Sequence, residues 1–130
     1  MVVDSSAILA IYFQEHDAQK FADIIGAARE LKMAAPTFLE ASIAAASRRG
    51  PIAAEHIRQN IIKSKIEIIS FGKNETEVAI QAFLKYGKGQ GHKAQLNFGD
   101  CISYATSKVE AMPLLFKGDD FRLTDVESAI

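Results

Sequence analysis

Apolar and polar positions follow two periods along this chain. Four short runs are mostly apolar, which predicts buried strands at 1–4, 32–35, 67–71 and 113–117. Between these runs, apolar residues recur every three or four positions among charged ones, the pattern of amphipathic helices. We predict helices at 7–13, 16–31, 38–49, 53–65, 76–86 and 98–109.

Strands that alternate with helices indicate an α/β fold with a parallel sheet covered on both faces. The chain has 130 residues, which is near the commonest size of one compact domain. It contains no repeat and no linker long enough to divide it. We therefore expect one domain spanning residues 1–130.

Composition narrows the classes of protein that remain. Cys101 is the only cysteine, so no intramolecular disulfide and no cysteine-based zinc site can form. The first residues lack the basic flank of a signal peptide, and no apolar run reaches the roughly 18 to 20 residues of a membrane span. We expect a cytoplasmic protein. The net charge of −1 argues against one that coats nucleic acid electrostatically.

Acidic residues lie where strands of the predicted sheet end. Asp4 ends the first strand, Glu40 lies in the first turn of the helix after the second, Asp100 opens the helix after a long loop, and 119–120 (Asp-Asp) follows the last strand. Functional groups of parallel sheets collect at this edge. Carboxylates placed together repel one another unless a cation binds them. Mg²⁺ is a suitable cation, because it binds oxygen ligands and can activate water against a phosphodiester.

Each acid also has a structural interpretation. Thr37 and Glu40 have the spacing of a capping box, and Asn97 and Asp100 repeat it with weaker residues. Asp4 could serve only as a turn residue. Their joint placement at one sheet edge favours a site.

The first helix is expected to be capped by a serine, since 5–6 is Ser-Ser.

The chain resembles PIN-domain ribonucleases, and among them most closely the VapC toxins of toxin–antitoxin pairs. The matching stretches occur in the family's order and extend over nearly the whole chain: 3–7 (VDSSA), 37–40 (TFLE), 96–101 (LNFGDC), 114–121 (LLFKGDDF) and 124–125 (TD).

This resemblance implies a three-layer α/β/α sandwich with a mainly parallel central sheet, a magnesium site that could also take Mn²⁺, and endonucleolytic cleavage of RNA. Asp4 and Asp100 correspond to direct metal ligands. Glu40 corresponds to a third member of the site, as a ligand or as the group that orients the attacking water. The fourth acid falls at Asp120 in preference to Asp119.

Supporting residues and partners also follow from the resemblance. Ser6 matches a hydroxyl that supports the site beside Asp4, and Asn97 is expected to cap its helix and steady Asp100. A VapB-type antitoxin is implied as a partner, with a segment that covers the acidic cleft and offers a basic side chain. A homodimer is implied by analogy.

Several other features remain open from sequence alone. The loop at 87–93, with the nearby Lys85, could grip RNA phosphates or could be a plain connector. Arg48 and Arg49 could contact substrate or could only complement a helix dipole. Tyr104 and Phe98 could stack on an unpaired base or pack in the core.

Two competing functions are weighed against the nuclease. One is a catalytically inactive PIN-like module for RNA binding or scaffolding. The other is a receiver-like phosphorylation domain, which needs an acceptor aspartate at the end of a central strand and a paired lysine on the last one. Lys117 could be that lysine, but the second strand ends in Ala-Pro at 35–36 without an aspartate.

Overall fold

The computed structural model describes residues 1–130 and contains one sheet of four parallel strands. The strands lie in the order β3-β2-β1-β4, so the predicted parallel sheet is confirmed. They are shorter than their apolar runs: β1 Val2–Val3, β2 Lys32–Ala34, β3 Glu67–Ile69 and β4 Leu114–Leu115.

Six helices connect and cover these strands, at the places where the helical periodicity predicted them. A 3-10 turn at Asp120–Leu123 follows β4. The helices are α1 Ser5–Tyr12, α2 Ala18–Ala27, α3 Ala35–Arg49, α4 Pro51–Lys63, α5 Lys73–Tyr86 and α6 Phe98–Glu110. None of them is both long and apolar enough to cross a membrane.

Alternate strand residues enter two separate cores. Val3 and Leu115 pack with buried residues of α1 to α4 on one face of the sheet. Val2 and Leu114 pack with residues of α5 and α6 on the other face. Side chains that alternate in direction along a strand produce this division. The result is the three-layer α/β/α arrangement.

The edge strand β3 is more exposed than the central strands. Glu67 is exposed and Ile68 is 37% exposed, whereas 2–3 in β1 and 33–34 in β2 are buried. This strand pairs on one side only, with β2. The sheet is thus covered on both faces, as expected, and its edge strand β3 is partly exposed.

Candidate active site

Asp4 lies at the carboxyl end of β1 and is almost completely buried, with 3% of its surface exposed. Its Oδ2 accepts hydrogen bonds from the backbone N–H of Ser6 at 3.0 Å and from the Ser6 hydroxyl at 2.5 Å. Asp4 is thus the cap of α1, and the prediction of a serine cap is wrong. The aspartate stands one residue before the helix, whereas Ser5 already has helical backbone geometry.

The Ser6 hydroxyl is itself fixed from a second strand. It accepts a hydrogen bond of 2.9 Å from the backbone N–H of Lys117, two residues after β4. A hydroxyl that accepts from Lys117 directs its proton toward Asp4. Ser6 therefore links the ends of β1 and β4.

Glu40 projects from the second turn of α3 toward Asp4. The predicted capping box is wrong here, because α3 begins at Ala35 and Thr37 already lies inside it, so Glu40 has no cap amide to reach. Its Oε1 instead accepts a 2.6 Å hydrogen bond from the hydroxyl of Ser5. Neighbouring serines of α1 therefore bind two different acids, Asp4 and Glu40.

The second oxygen of Glu40 lies against the first turn of α6. A Cβ atom at Gly99 would stand only 1.9 Å from Glu40 Oε2, much closer than two unbonded atoms approach. Only a residue without a side chain leaves this space. Glu40 is thereby placed beside Asp100, the next residue of α6.

Asp100 occupies the third position of α6, where the predicted capping box with Asn97 is confirmed. The Asn97 side chain accepts from the Asp100 N–H at 2.9 Å, and Asp100 Oδ2 accepts from the Asn97 N–H at 3.0 Å. The helix cap therefore fixes the direction of the Asp100 carboxylate while its other oxygen is left available.

Burial and neighbouring negative charge shift the titration of two acids. Burial, followed by repulsion from Asp4, Asp120 and Glu40, raises the pKa of Asp100 to about 6, although its hydrogen bond from Asn97 opposes the shift. Burial also raises the pKa of Glu40, reinforced by the charge of Asp4 and opposed by the hydrogen bond from Ser5. These acids from four distant segments thus act on one another electrostatically.

The two candidate fourth acids differ in their surroundings. The side chain of Asp119 is 89% exposed and faces Arg122, with 3.6 Å between the carboxylate and Nε. Asp120 is also exposed, but its charge is among those that raise the pKa of Asp100. The preference for Asp120 over Asp119 as the fourth acid stays a prediction.

The donor chemistry of the site suits a hard, hydrated cation. Its polar side chains are carboxylates and hydroxyls, the oxygen ligands that Mg²⁺ prefers. No three Asp, Glu, His or Cys side chains converge at the spacing of a direct ligand set. Mg²⁺ normally keeps several waters and uses one or two carboxylates, so the residues fit a water-rich ion and not a cage of protein ligands.

Two aromatic candidates have opposite placements. Tyr104 is buried, and its hydroxyl donates to Asp125 at 2.5 Å, so it belongs to the core and cannot stack on a base. Phe98 is 84% exposed at the start of α6.

The basic candidates are mostly engaged in structure. The guanidinium of Arg48 lies 3.7 Å from the centre of the Phe13 ring. In the loop at 87–93, His92 packs edge-on against Tyr86 and accepts from the Ala94 N–H at 3.0 Å, which supports a structural role.

Lys117 does not have the position of a receiver-domain lysine. Its ammonium forms ion pairs with Glu15 and Asp17 between α1 and α2. Its ammonium is therefore engaged by these two acids and not by an acceptor aspartate, and the receiver-like alternative loses its remaining support.

A parallel three-layer fold with acids at one sheet edge defines a class of protein. Comparison of this sequence with known families identifies that class. The family model of the PIN domain matches residues 1–127. This chain therefore belongs to the PIN-domain family.

Its relatives within that family are VapC ribonucleases. VapC ribonuclease Mb0625 of Mycobacterium bovis and ribonuclease VapC28 of Mycobacterium tuberculosis are each 37% identical over 130 residues, covering 100% of this chain and 98% of each relative. Ribonuclease VapC of Mycolicibacterium smegmatis is also 37% identical, over 126 residues and 97% of both chains.

Solved structures share the fold at lower identity. VapC20 of Mycobacterium tuberculosis, a sarcin-ricin loop cleaving toxin, superposes with a TM-score of 0.80 at 12% identity, covering 96% of this chain and 95% of that one. A toxin–antitoxin complex from Klebsiella pneumoniae contains a chain with a TM-score of 0.67 at 16% identity, with coverage of 92% and 88%. The predicted PIN-like architecture is thus confirmed.

Sequence reasoning missed two residues that touch the acids. Gly99 was not singled out, because nothing in a sequence reveals which neighbour its missing side chain would meet. Ser103 was not considered either, although it follows Asp100 by three positions and so lies on the same face of α6. A polar residue on an otherwise buried helix face was the available sign.

Proposed function

We propose that this protein is the toxin of a type II toxin–antitoxin pair and hydrolyses RNA phosphodiester bonds with Mg²⁺, for which Mn²⁺ can substitute. The observation that supports the proposal is that Asp4, Glu40 and Asp100, from three distant segments, lie near enough for their charges to raise the pKa of Glu40 and Asp100. A structural role for each acid separately would not require them to meet.

Each acid has a separate role in the proposed reaction. A bound divalent ion supplies a more acidic water and offsets negative charge on the phosphoryl group. Asp4 and Asp100 would hold that ion. Glu40, fixed at Oε1 by Ser5, orients the attacking water with its second oxygen. Asp120, at the exposed rim, contributes negative charge beside Asp100.

Cleavage of RNA by the purified protein tests this proposal. We expect Mg²⁺-dependent cleavage that a chelator abolishes and that Asp4→Asn and Asp100→Asn eliminate, with Asp119→Asn as the matched control. Sequencing of the cleaved ends would identify the target. A folded protein that binds RNA without cutting it would instead support the inactive RNA-binding or scaffolding module.

An antitoxin partner belongs to the same proposal. An active nuclease of this kind needs restraint in its host, and we expect a VapB-type antitoxin, acting with it in the cytoplasm, whose basic side chain enters the acidic cleft. The Klebsiella pneumoniae neighbour is itself a toxin–antitoxin complex, which supports the expectation. Co-purification of the chain with the product of an adjacent gene, and loss of cleavage in that complex, would test it.

A homodimer is proposed through an apolar surface next to the site. Exposed apolar side chains of α3, α5 and the start of α6 line two adjoining cavities that share Phe98 and Ile102. The exposed fractions are 59% for Leu39, 57% for Ile43 and 84% for Phe98. Apolar surface of this kind is typical of interfaces. A second copy of the chain is its proposed occupant.

Light scattering of the wild-type protein and of Phe98→Asp tests the dimer. We expect the mass of two chains for the first and of one chain for the second. A monomeric wild-type protein would contradict the dimer.

A further inference from the structure

We infer that Ser103 is a positioning residue for Asp4. Its hydrogen bond leaves one lone-pair site of the Asp4 carboxylate free for a cation or for a water bound to that cation. The inference deepens the proposed function and rests on it. The Ser103 hydroxyl donates to Asp4 Oδ1 across 2.5 Å, from α6 to the end of β1. Both residues are buried, at 1% and 3% exposure.

The hydrogen bonds to Asp4 divide its two oxygens unequally. A carboxylate offers about four lone-pair sites, two on each oxygen. On Oδ2, the backbone N–H and the hydroxyl of Ser6 occupy both sites. On Oδ1, Ser103 occupies one. The remaining lone pair of Oδ1 can therefore bind a cation or accept a hydrogen bond from a water on that cation. Ser103 sets the direction of this lone pair.

Ser103 does not form the hydrogen bond that is usual for a hydroxyl inside a helix, and donates to Asp4 instead. Hydroxyls inside helices commonly donate to the carbonyl four residues earlier. Thr106 does this toward Ile102 at 2.8 Å, in the same helix, and Ser42 does it toward Phe38 at 2.9 Å in α3. Ser103 alone of these three bonds an acid on another element.

The position of Ser103 on α6 also links the placement of Asp4 to that of Asp100. Residues three apart share a helix face, so the helix that presents Asp100 also presents the hydroxyl that aims Asp4. A shift of α6 would move both groups together. Ser103 thereby keeps the two proposed ion-holding acids in register.

The substitution Ser103→Ala tests this role, with Ser107→Ala as its control. Ser107 is a buried serine of the same helix whose hydroxyl donates to the Met112 carbonyl at 2.6 Å. Both variants lose one buried hydroxyl and one hydrogen bond, but only the first loses a contact with Asp4. The readouts are Mn²⁺ affinity by calorimetry and the melting temperature of the metal-free protein.

We expect Ser103→Ala to weaken Mn²⁺ binding roughly 10-fold to 100-fold, the usual effect of losing a group that orients a ligand. Ser107→Ala should lower the melting temperature similarly and leave Mn²⁺ affinity unchanged. Wild-type affinity in Ser103→Ala would overturn the inference, whereas a wild-type protein that binds no Mn²⁺ would overturn the proposed function.

A second variant covers the case in which Ser103→Ala does not fold. Ser103→Cys keeps a side chain of similar shape, but its S–H is a weak donor. Reduced Mn²⁺ affinity in this variant supports the inference, and unchanged affinity overturns it.

Discussion

The inner and outer parts of the acidic site are built differently. Asp4 is buried and receives three hydrogen bonds from Ser6 and Ser103, which fix its direction. Asp120, at the rim, is exposed and acts on Asp100 through its charge. We therefore expect the buried Asp4 to determine whether an ion binds, and the exposed Asp120 to change only the affinity for that ion.

The largest effect is expected from Asp4→Asn. The amide removes a negative charge and one acceptor oxygen from the position that Ser6 and Ser103 hold, so RNA cleavage should fall by more than the roughly 100-fold that loss of a supporting group can cause. Initial cleavage rates at saturating Mg²⁺ measure this. A variant that retains a tenth of the wild-type rate would contradict a central role for Asp4.

Gly99→Ala should reduce cleavage roughly 10-fold to 100-fold while the fold survives. The added methyl group overlaps Glu40 Oε2, and the flexible end of the glutamate can move away. Cleavage rate and melting temperature measured together separate the two effects.

Gly26→Ala, in α2, is the matched control, since its methyl group would meet nothing within 4 Å. It should leave cleavage unchanged and stabilise the helix by about 0.5–1 kcal/mol. An equal loss of cleavage in both variants would show that Glu40 is not the cause.

Ion binding should weaken as the pH falls below about 6. The carboxylate of Asp100, whose pKa is raised to about 6, must lose its proton to hold a cation. Mg²⁺ affinity should therefore fall by at most about tenfold for each pH unit below that value if one proton is released. Calorimetry between pH 5 and pH 8 measures this range, and an affinity independent of pH would contradict it.

The raised pKa of Asp100 also predicts how the stability of the metal-free protein depends on pH. The folded state favours the protonated form of Asp100, so this group's contribution to the free energy of unfolding is present below its unfolded pKa and is lost as the pH rises through about 6. Urea unfolding in chelator should show this decline, and Asp100→Asn should flatten it.

The smallest effect is expected at the rim. Asp120→Asn should lower cleavage by about threefold to tenfold, because exposed charges are partly screened by salt. Asp119→Asn should change it less than twofold. Equal losses in the two variants would remove the distinction between these acids, and the difference should shrink at high salt.

Much of the fold followed from periodicity, because apolar strands and amphipathic helices differ in spacing along the chain. Helix starts were harder to predict. Thr37 and Glu40 have capping-box spacing, yet α3 begins earlier, at Ala35, and tertiary contact with Ser5 engages the glutamate instead. Local patterns describe neighbours in sequence, whereas this bond joins residues 35 positions apart.

The acids were predicted from sequence because Asp4 ends a strand, Asp100 lies in the first turn of a helix and Glu40 was expected to do so, although it lies in the second turn of α3. Their supporting contacts could not, since the roles of Ser103 and Gly99 depend on how α6 packs against β1 and α3. Asn97 is the exception, because its cap is local and its spacing to Asp100 is visible in the chain.

Anomalous diffraction from crystals grown with Mn²⁺ tests the central claim most directly. We expect a Mn²⁺ peak between the carboxylates of Asp4 and Asp100, with water completing its coordination and the contact to Asp4 made through Oδ1. A Mn²⁺ peak elsewhere, in a protein that still cleaves RNA in Mn²⁺, would contradict the claim that these acids form the catalytic site.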